Sequence, residues 1–214
     1  MNANTSHPFF IFDFDGTIAD TFKHILKISN QLAKEYNFKE IRPEEEESMK
    51  GKTSQELMKL LKVPIMKIPA IVTRAKKELN KEMAYVEPAD GLEEILRELK
   101  KWCRGLGILT SNSAENVKHF LQNNHLDIFD FISTTSKIWS KNTGLKKLIA
   151  QYGLDPQKVI YVGDETRDIQ AAQKAGVKVA AVTWGYNTSV ALKKHHPDYM
   201  IDQPSDLLKV LTAI

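Results

Sequence analysis

A single cysteine, Cys103, stands in the 214 residues, so no disulfide can form within the chain and a reducing compartment is the expected setting. The thiol itself reads as a small, half-buried apolar group. Long apolar runs are missing too. The early one, Phe9 to Phe12, is far too short for a membrane span or the apolar part of a secretion signal, and no basic segment leads into it. The expectation is a cytoplasmic protein with no membrane partner. Nor is there a basic track. The net charge is only +3, and the lysine pairs at 76–77, 100–101, 146–147 and 193–194 are scattered among helical patterns without interleaved aromatics. They read as solvated helix faces, which argues against a nucleic-acid partner. Internal repeats and low-complexity tracts are also absent.

What is present is ordinary globular material: 42% hydrophobic and 27% charged residues, enough for one good core plus a smaller appendage. Four apolar stretches read as buried parallel strands that end in small or polar residues: PFFIFD, LGILTSN (106–112), KVIYVGD (158–164) and VKVAAVTWG (177–185). DFISTTS (130–136) is a weaker fifth. Helical patterns lie between them, at 91–102, 114–124, 144–153 and 167–176. This alternation predicts an α/β fold, a Rossmann-like doubly wound parallel sheet. From about Thr21 to Tyr85 the pattern is helical throughout, with no fitting strand. A helical cap domain over 21–85, inserted into a core of 1–20 and 86–214, follows, with Glu87, Pro88 and Gly91 marking the return.

In such a sheet ligands bind beyond the carboxyl ends of the strands, and the strands deliver polar residues there: Asp13 and Asp15, Ser111 and Asn112, Asp164. FDFDGT alone is equally a strand running into an Asp-Gly turn, and YVGDETRD alone is equally a strand, a turn and a capped helix start. Together they put at least three carboxylates in one place, where they repel unless a hard divalent cation sits among them. Mg²⁺ suits oxygen ligands of this kind.

DFDGT, a Ser or Thr after an apolar strand, a lysine, then GD followed by a further Asp resembles the haloacid dehalogenase superfamily, and in particular its phosphoglycolate-phosphatase-like branch. The likeness covers essentially the whole chain. It implies a phosphatase that acts on a small phosphorylated metabolite. Asp13 would be the nucleophile that forms an aspartyl-phosphate, and Asp15 the proton donor and acceptor. Ser111, or Thr110 after a one-residue slip, would hold the phosphoryl group, helped by the Asn112 amide. Lys141, or Lys137, would be the lysine. Mg²⁺ would be bound by Asp13, by the backbone carbonyl of Asp15 and by Asp164. Asp168 would orient from outside, and Glu165 is a weaker ligand candidate.

Gly16 would let the backbone approach a phosphate, with Thr17, in an anion nest. Lys50 and Lys52, in MKGKTSQEL at a break between cap helices, would hold the non-reacting end of the substrate; a plain loop before a Ser-capped helix, with Thr53 as a loop residue, is the equal alternative. WGYN (184–187) either lines an entrance or packs at a strand end. His195 and His196 read as exposed loop residues. A phosphomutase of the β-phosphoglucomutase type and a non-catalytic binding protein are the other functional readings, and a monomer or homodimer is expected.

Overall fold

The structure is a computed structural model that describes residues 7–52, 54–135 and 141–211. Strand β1, Phe9–Phe12, is the centre of a six-stranded sheet. On one side lie β2, Gly105–Thr110, and β3, Phe131–Thr134; on the other lie β4, Val159–Gly163, β5, Lys178–Val182, and β6, Tyr199–Ile201. The order is β3-β2-β1-β4-β5-β6 and every pairing is parallel. The chain therefore winds outward from β1 first one way and then the other, which opens a crevice at the strands' carboxyl ends next to β1.

All four residues of β1 are buried, because both faces of the sheet are covered. Side chains alternate between them with a period of two. Phe10, Phe12, Ile160, Val162, Ala180 and Val182 join one apolar cluster, and Phe9, Ile11, Val159, Tyr161, Val179 and Ala181 join the other. The first face packs on α5, Leu92–Trp102, α6, Ala114–Asn123, and α10, Leu207–Leu211. The second packs on α7, Lys141–Gln151, α8, Thr166–Ala175, and α9, Ser189–Lys193. The protein is thus an α/β fold with a doubly wound parallel sheet between two helical layers.

Between β1 and α5 the described residues form helices and turns: α1, Phe22–Tyr36, α2, Glu46–Met49, α3, Ser54–Leu60, and α4, Ile68–Glu82. The way out and the way back are tied together. Asp20 donates its N–H to Glu87 O (2.9 Å), and Ala89 donates to Ile18 O (2.9 Å). α1 turns Ile28 and Leu32, and α4 turns Leu79, into the same cluster as Phe14 and Phe120 of the sheet layer. A second small cluster of Leu26, Ile41, Met49 and Leu61 fills the insertion itself.

β6 lies outside the sequence reading: three residues are too few to carry an alternating pattern. Helix α7 starts at Lys141, which puts this lysine at the start of the helix leading to the Asp164 strand, as its place in the sequence suggests. Cys103 is fully buried, and burial pushes its thiol up to about 11.

Candidate active site

The parallel register of β1 and β4 pairs Phe12 with Val162, and Asp13 N–H continues the ladder to Val162 O at 2.8 Å. Asp13 and Asp164 therefore leave adjacent strand ends within a residue of each other. Helix α8 adds Asp168 from its first turn, where Oδ2 accepts the N–H of Glu165 at 3.1 Å. Among the described residues, Asp13, Asp164 and Asp168 each offer an oxygen, all within 4.8 Å of one another, and all three are buried.

Among the described residues, one cation is in direct contact with them, while Arg167 stands nearby, paired with Glu165. Lys141 Nζ stands 2.5 Å from Asp13 Oδ2 and 2.6 Å from Asp168 Oδ1, with its side chain only 2% exposed. Burial by itself would lower its pKa, but the charges of Asp13 and Asp168 outweigh that and hold the ammonium above its usual value. Three carboxylates against one ammonium leave an excess of negative charge. Burial, then the charges of Glu165, Asp168 and Asp13, push Asp164 well above the ordinary carboxylate range. Burial likewise raises Asp13 against the pull of Lys141. A dry carboxylate cluster with surplus charge fits a metal ion, which would supply the missing positive charge.

Asp164 is positioned by neighbours on two segments. Thr17 Oγ1 donates to Oδ1 (2.7 Å) and Tyr186 N–H to Oδ2 (2.7 Å), while Gly16, at φ +76°, passes so close that a side-chain carbon there would collide with the Asp164 carboxylate. Asp15 is the other carboxylate of the loop after β1. Asn112 Nδ2 donates to both its oxygens at 2.9 and 3.1 Å. Burial, and then the charge of Asp13, hold this carboxyl up to about 6. Asn112 is fixed in turn: its Oδ1 accepts from Ser113 N–H and from Asn116 Nδ2, both at 2.8 Å.

Several expected phosphate contacts are arranged differently. The hydroxyl of Thr17 serves Asp164, and the N–H groups of Gly16 and Thr17 are bonded to Ala19 O (2.9 Å) and Phe14 O (3.3 Å). The Asn112 N–H donates to Thr110 Oγ1 at 2.9 Å; this residue reaches the site through its carboxamide instead. That bond also draws the Thr110 hydroxyl into the buried strand end, whereas Ser111 lines the cavity above the carboxylates. Lys52 lines the same cavity, but Lys50 pairs with Glu47 at 3.3 Å and lies over the Phe22 ring. Lys137 and Thr53 lie outside the described residues.

The cavity is about 350 Å³. Its floor is the sheet edge, with Asp15, Ser111, Asn112, Glu165, Arg167 and Tyr186, and its walls are the helices of the insertion. Two lining residues, Lys76 and Arg167, escaped the sequence reading. Lys76 of α4 reaches over to donate to Ser111 O (2.6 Å). Arg167, paired with Glu165, sits beside the acidic cluster, and its place within GDETRD was the available signal. Tyr186, within WGYN, ties the layers together: its OH meets Thr21 Oγ1 at 2.6 Å, and its carbonyl accepts from Gly51 N–H at 2.7 Å.

Residues 10–182 match the family model described as haloacid dehalogenase-like hydrolase. A phosphoglycolate phosphatase of Synechococcus elongatus is 32% identical over 205 residues, covering 95% of this chain and 97% of that protein. The pyrophosphatase PpaX of Bacillus cereus is 29% identical over 208 residues, covering 94% and 95%. Among solved structures, a haloacid dehalogenase-like hydrolase of Streptococcus pneumoniae superposes with a TM-score of 0.83 at 21% identity, over 96% of this chain and 99% of that one. That likeness carries the fold.

Proposed function

Since the chain belongs to the haloacid dehalogenase-like hydrolases, we propose that it is a Mg²⁺-dependent phosphomonoester phosphatase that works through an aspartyl-phosphate on Asp13, with residues 21–85 as a cap domain over a core of 1–20 and 86–214. The observation that carries this reading is the Lys141 ammonium, clamped between Asp13 and Asp168 where β1 and β4 end, with Asp164 alongside. The names of two relatives, a phosphoglycolate phosphatase and a pyrophosphatase, support phosphoryl transfer to water as the reaction class.

The ion would be held by Asp13, the backbone carbonyl of Asp15 and Asp164, and when bound it supplies positive charge to the phosphoryl oxygens. The remaining chemistry belongs to the chain. With Oδ2 held by Lys141, Asp13 Oδ1 is the oxygen left to attack phosphorus, and the bond from phosphorus to the alcohol oxygen breaks. Asp15, kept protonated toward pH 6 by burial and aimed by Asn112, gives its proton to the departing alkoxide. As a carboxylate it then takes a proton from a water that attacks the phosphoryl group, which releases phosphate and frees Asp13. Ser111 and Lys141 hold the phosphoryl oxygens through this exchange, and Asp168 keeps Lys141 in place.

The test is turnover of an aryl phosphate with Mg²⁺. Asp13→Asn is expected to lose at least about 10⁴-fold in kcat, because a neutral amide is no nucleophile for phosphorus. Chelation of the metal is expected to bring wild type to the same floor. Full activity in either case overturns the proposal.

A further inference from the structure

The cavity over the carboxylates carries its charges at and next to the sheet edge: Asp15, Glu165 and Arg167 on the floor, Lys76 of α4 fastened to Ser111 O, and Lys52 from the insertion. Above them α1 presents Phe22, Ile25 and Leu32, and α4 presents Ile71, Val72 and Ala75; on these helical walls Ser29 is the sole polar side chain among the described lining residues apart from Lys52 and Lys76. Sugar hydroxyls or a second phosphate lodged against these apolar side chains would lose water and find few partners, whereas hydrocarbon would gain by leaving water. At about 350 Å³ the space is at the small end of ligand pockets, enough for a phosphoryl group and a short chain or ring.

Resting on the phosphatase reading above, we propose that the substrates are phosphomonoesters of apolar alcohols, with the phosphoryl group on the carboxylate floor and the hydrocarbon between α1 and α4. The cavity is continuous with Asp15 and Ser111, so an ester oxygen placed for protonation by Asp15 points its carbon substituent into the apolar walls. Polyhydroxylated sugar phosphates, which a mutase would require, suit those walls poorly, and so does inorganic pyrophosphate.

The experiment is kcat/KM with Mg²⁺ for ethyl, butyl and hexyl phosphate, beside phosphoglycolate, pyrophosphate and an aryl phosphate. The expected result is a rise of about three- to fourfold per added methylene, with phosphoglycolate and pyrophosphate below the butyl ester. Competitive inhibition by ethyl, butyl and hexyl phosphonate should follow the same gradient in Ki. Ala75→Phe, which narrows the cavity, should cut the hexyl-to-ethyl ratio at least tenfold. Turnover with a flat or falling series, or a preference for phosphoglycolate or pyrophosphate, overturns this proposal alone. No phosphate release from any ester, the aryl phosphate included, overturns the phosphatase reading and this proposal with it.

Discussion

Asp13 and Asp168 share one ammonium, so Lys141 is the residue whose loss should be felt most widely. Lys141→Ala removes the ammonium from two buried carboxylates beside Asp164 and leaves only the Glu165-paired Arg167 near them, at a cost of about 3–5 kcal/mol. Urea unfolding in the presence of a chelator measures it. The deficit has a definite pH dependence. Orphaned carboxylates in the folded variant hold protons that the unfolded chain has already released, so the variant loses stability as pH rises from about 4 toward 7. Its gap to wild type should therefore widen with pH; a gap independent of pH contradicts this electrostatic account. The acidic members of this group were legible because each follows an apolar run directly, at FDFDGT and at YVGD. Lys76 was not, and WGYN left open whether Tyr186 lines an entrance or packs at a strand end. Nothing in their local sequence announces that the insertion brings Lys76 to Ser111 or that Gly51 meets Tyr186, since both contacts are made only once distant segments pack.

At the scale of elements, helix α6 shows how a cap supports chemistry at one remove. Ser113 Oγ accepts the N–H of Asn116 at 3.2 Å, and Asn116 in turn holds the Asn112 carboxamide that grips Asp15. Ser113→Ala should cost about 1 kcal/mol of stability, while Ser113→Gly should cost only a few tenths, because glycine leaves the cap backbone free to be solvated. Denaturant titration of the pair separates a capping role from simple packing, for which the glycine variant would be the worse of the two. The central strands could be read from sequence because burial on both faces makes each one a continuous apolar run, as in β1, β2 and β4. β3, half exposed at the sheet margin, gave a weaker signal, and β6, with three residues, gave none. In α7 the apolar period sets in only at Leu145, because the first turn, KNT, has no apolar residue.

Across the whole molecule, one apolar cluster joins the insertion to the sheet layer, with Ile28, Leu32 and Leu79 against Phe14 and Phe120. Asn80 adds a polar bridge to Asn116 at 2.7 Å. A shared core of this kind should unfold as a unit, so circular dichroism and tryptophan fluorescence should report coincident urea transitions. Two separated transitions would mean that the insertion holds itself together independently. The same layout frames the site: a doubly wound sheet brings the ends of β1 and β4 side by side, and the insertion roofs a cavity whose floor carries Asp15, two residues after Asp13. The account stands or falls on what Asp13 does during turnover. Rapid acid quenching of the Asp15→Asn variant with Mg²⁺ and an aryl phosphate, whose leaving group needs no proton, followed by peptide mass analysis, tests this most directly. A hydroxylamine-labile phosphoryl group on Asp13 is predicted. Phosphate release from a chain that carries no such group on residue 13 at any time, or a label on a different residue, would contradict it.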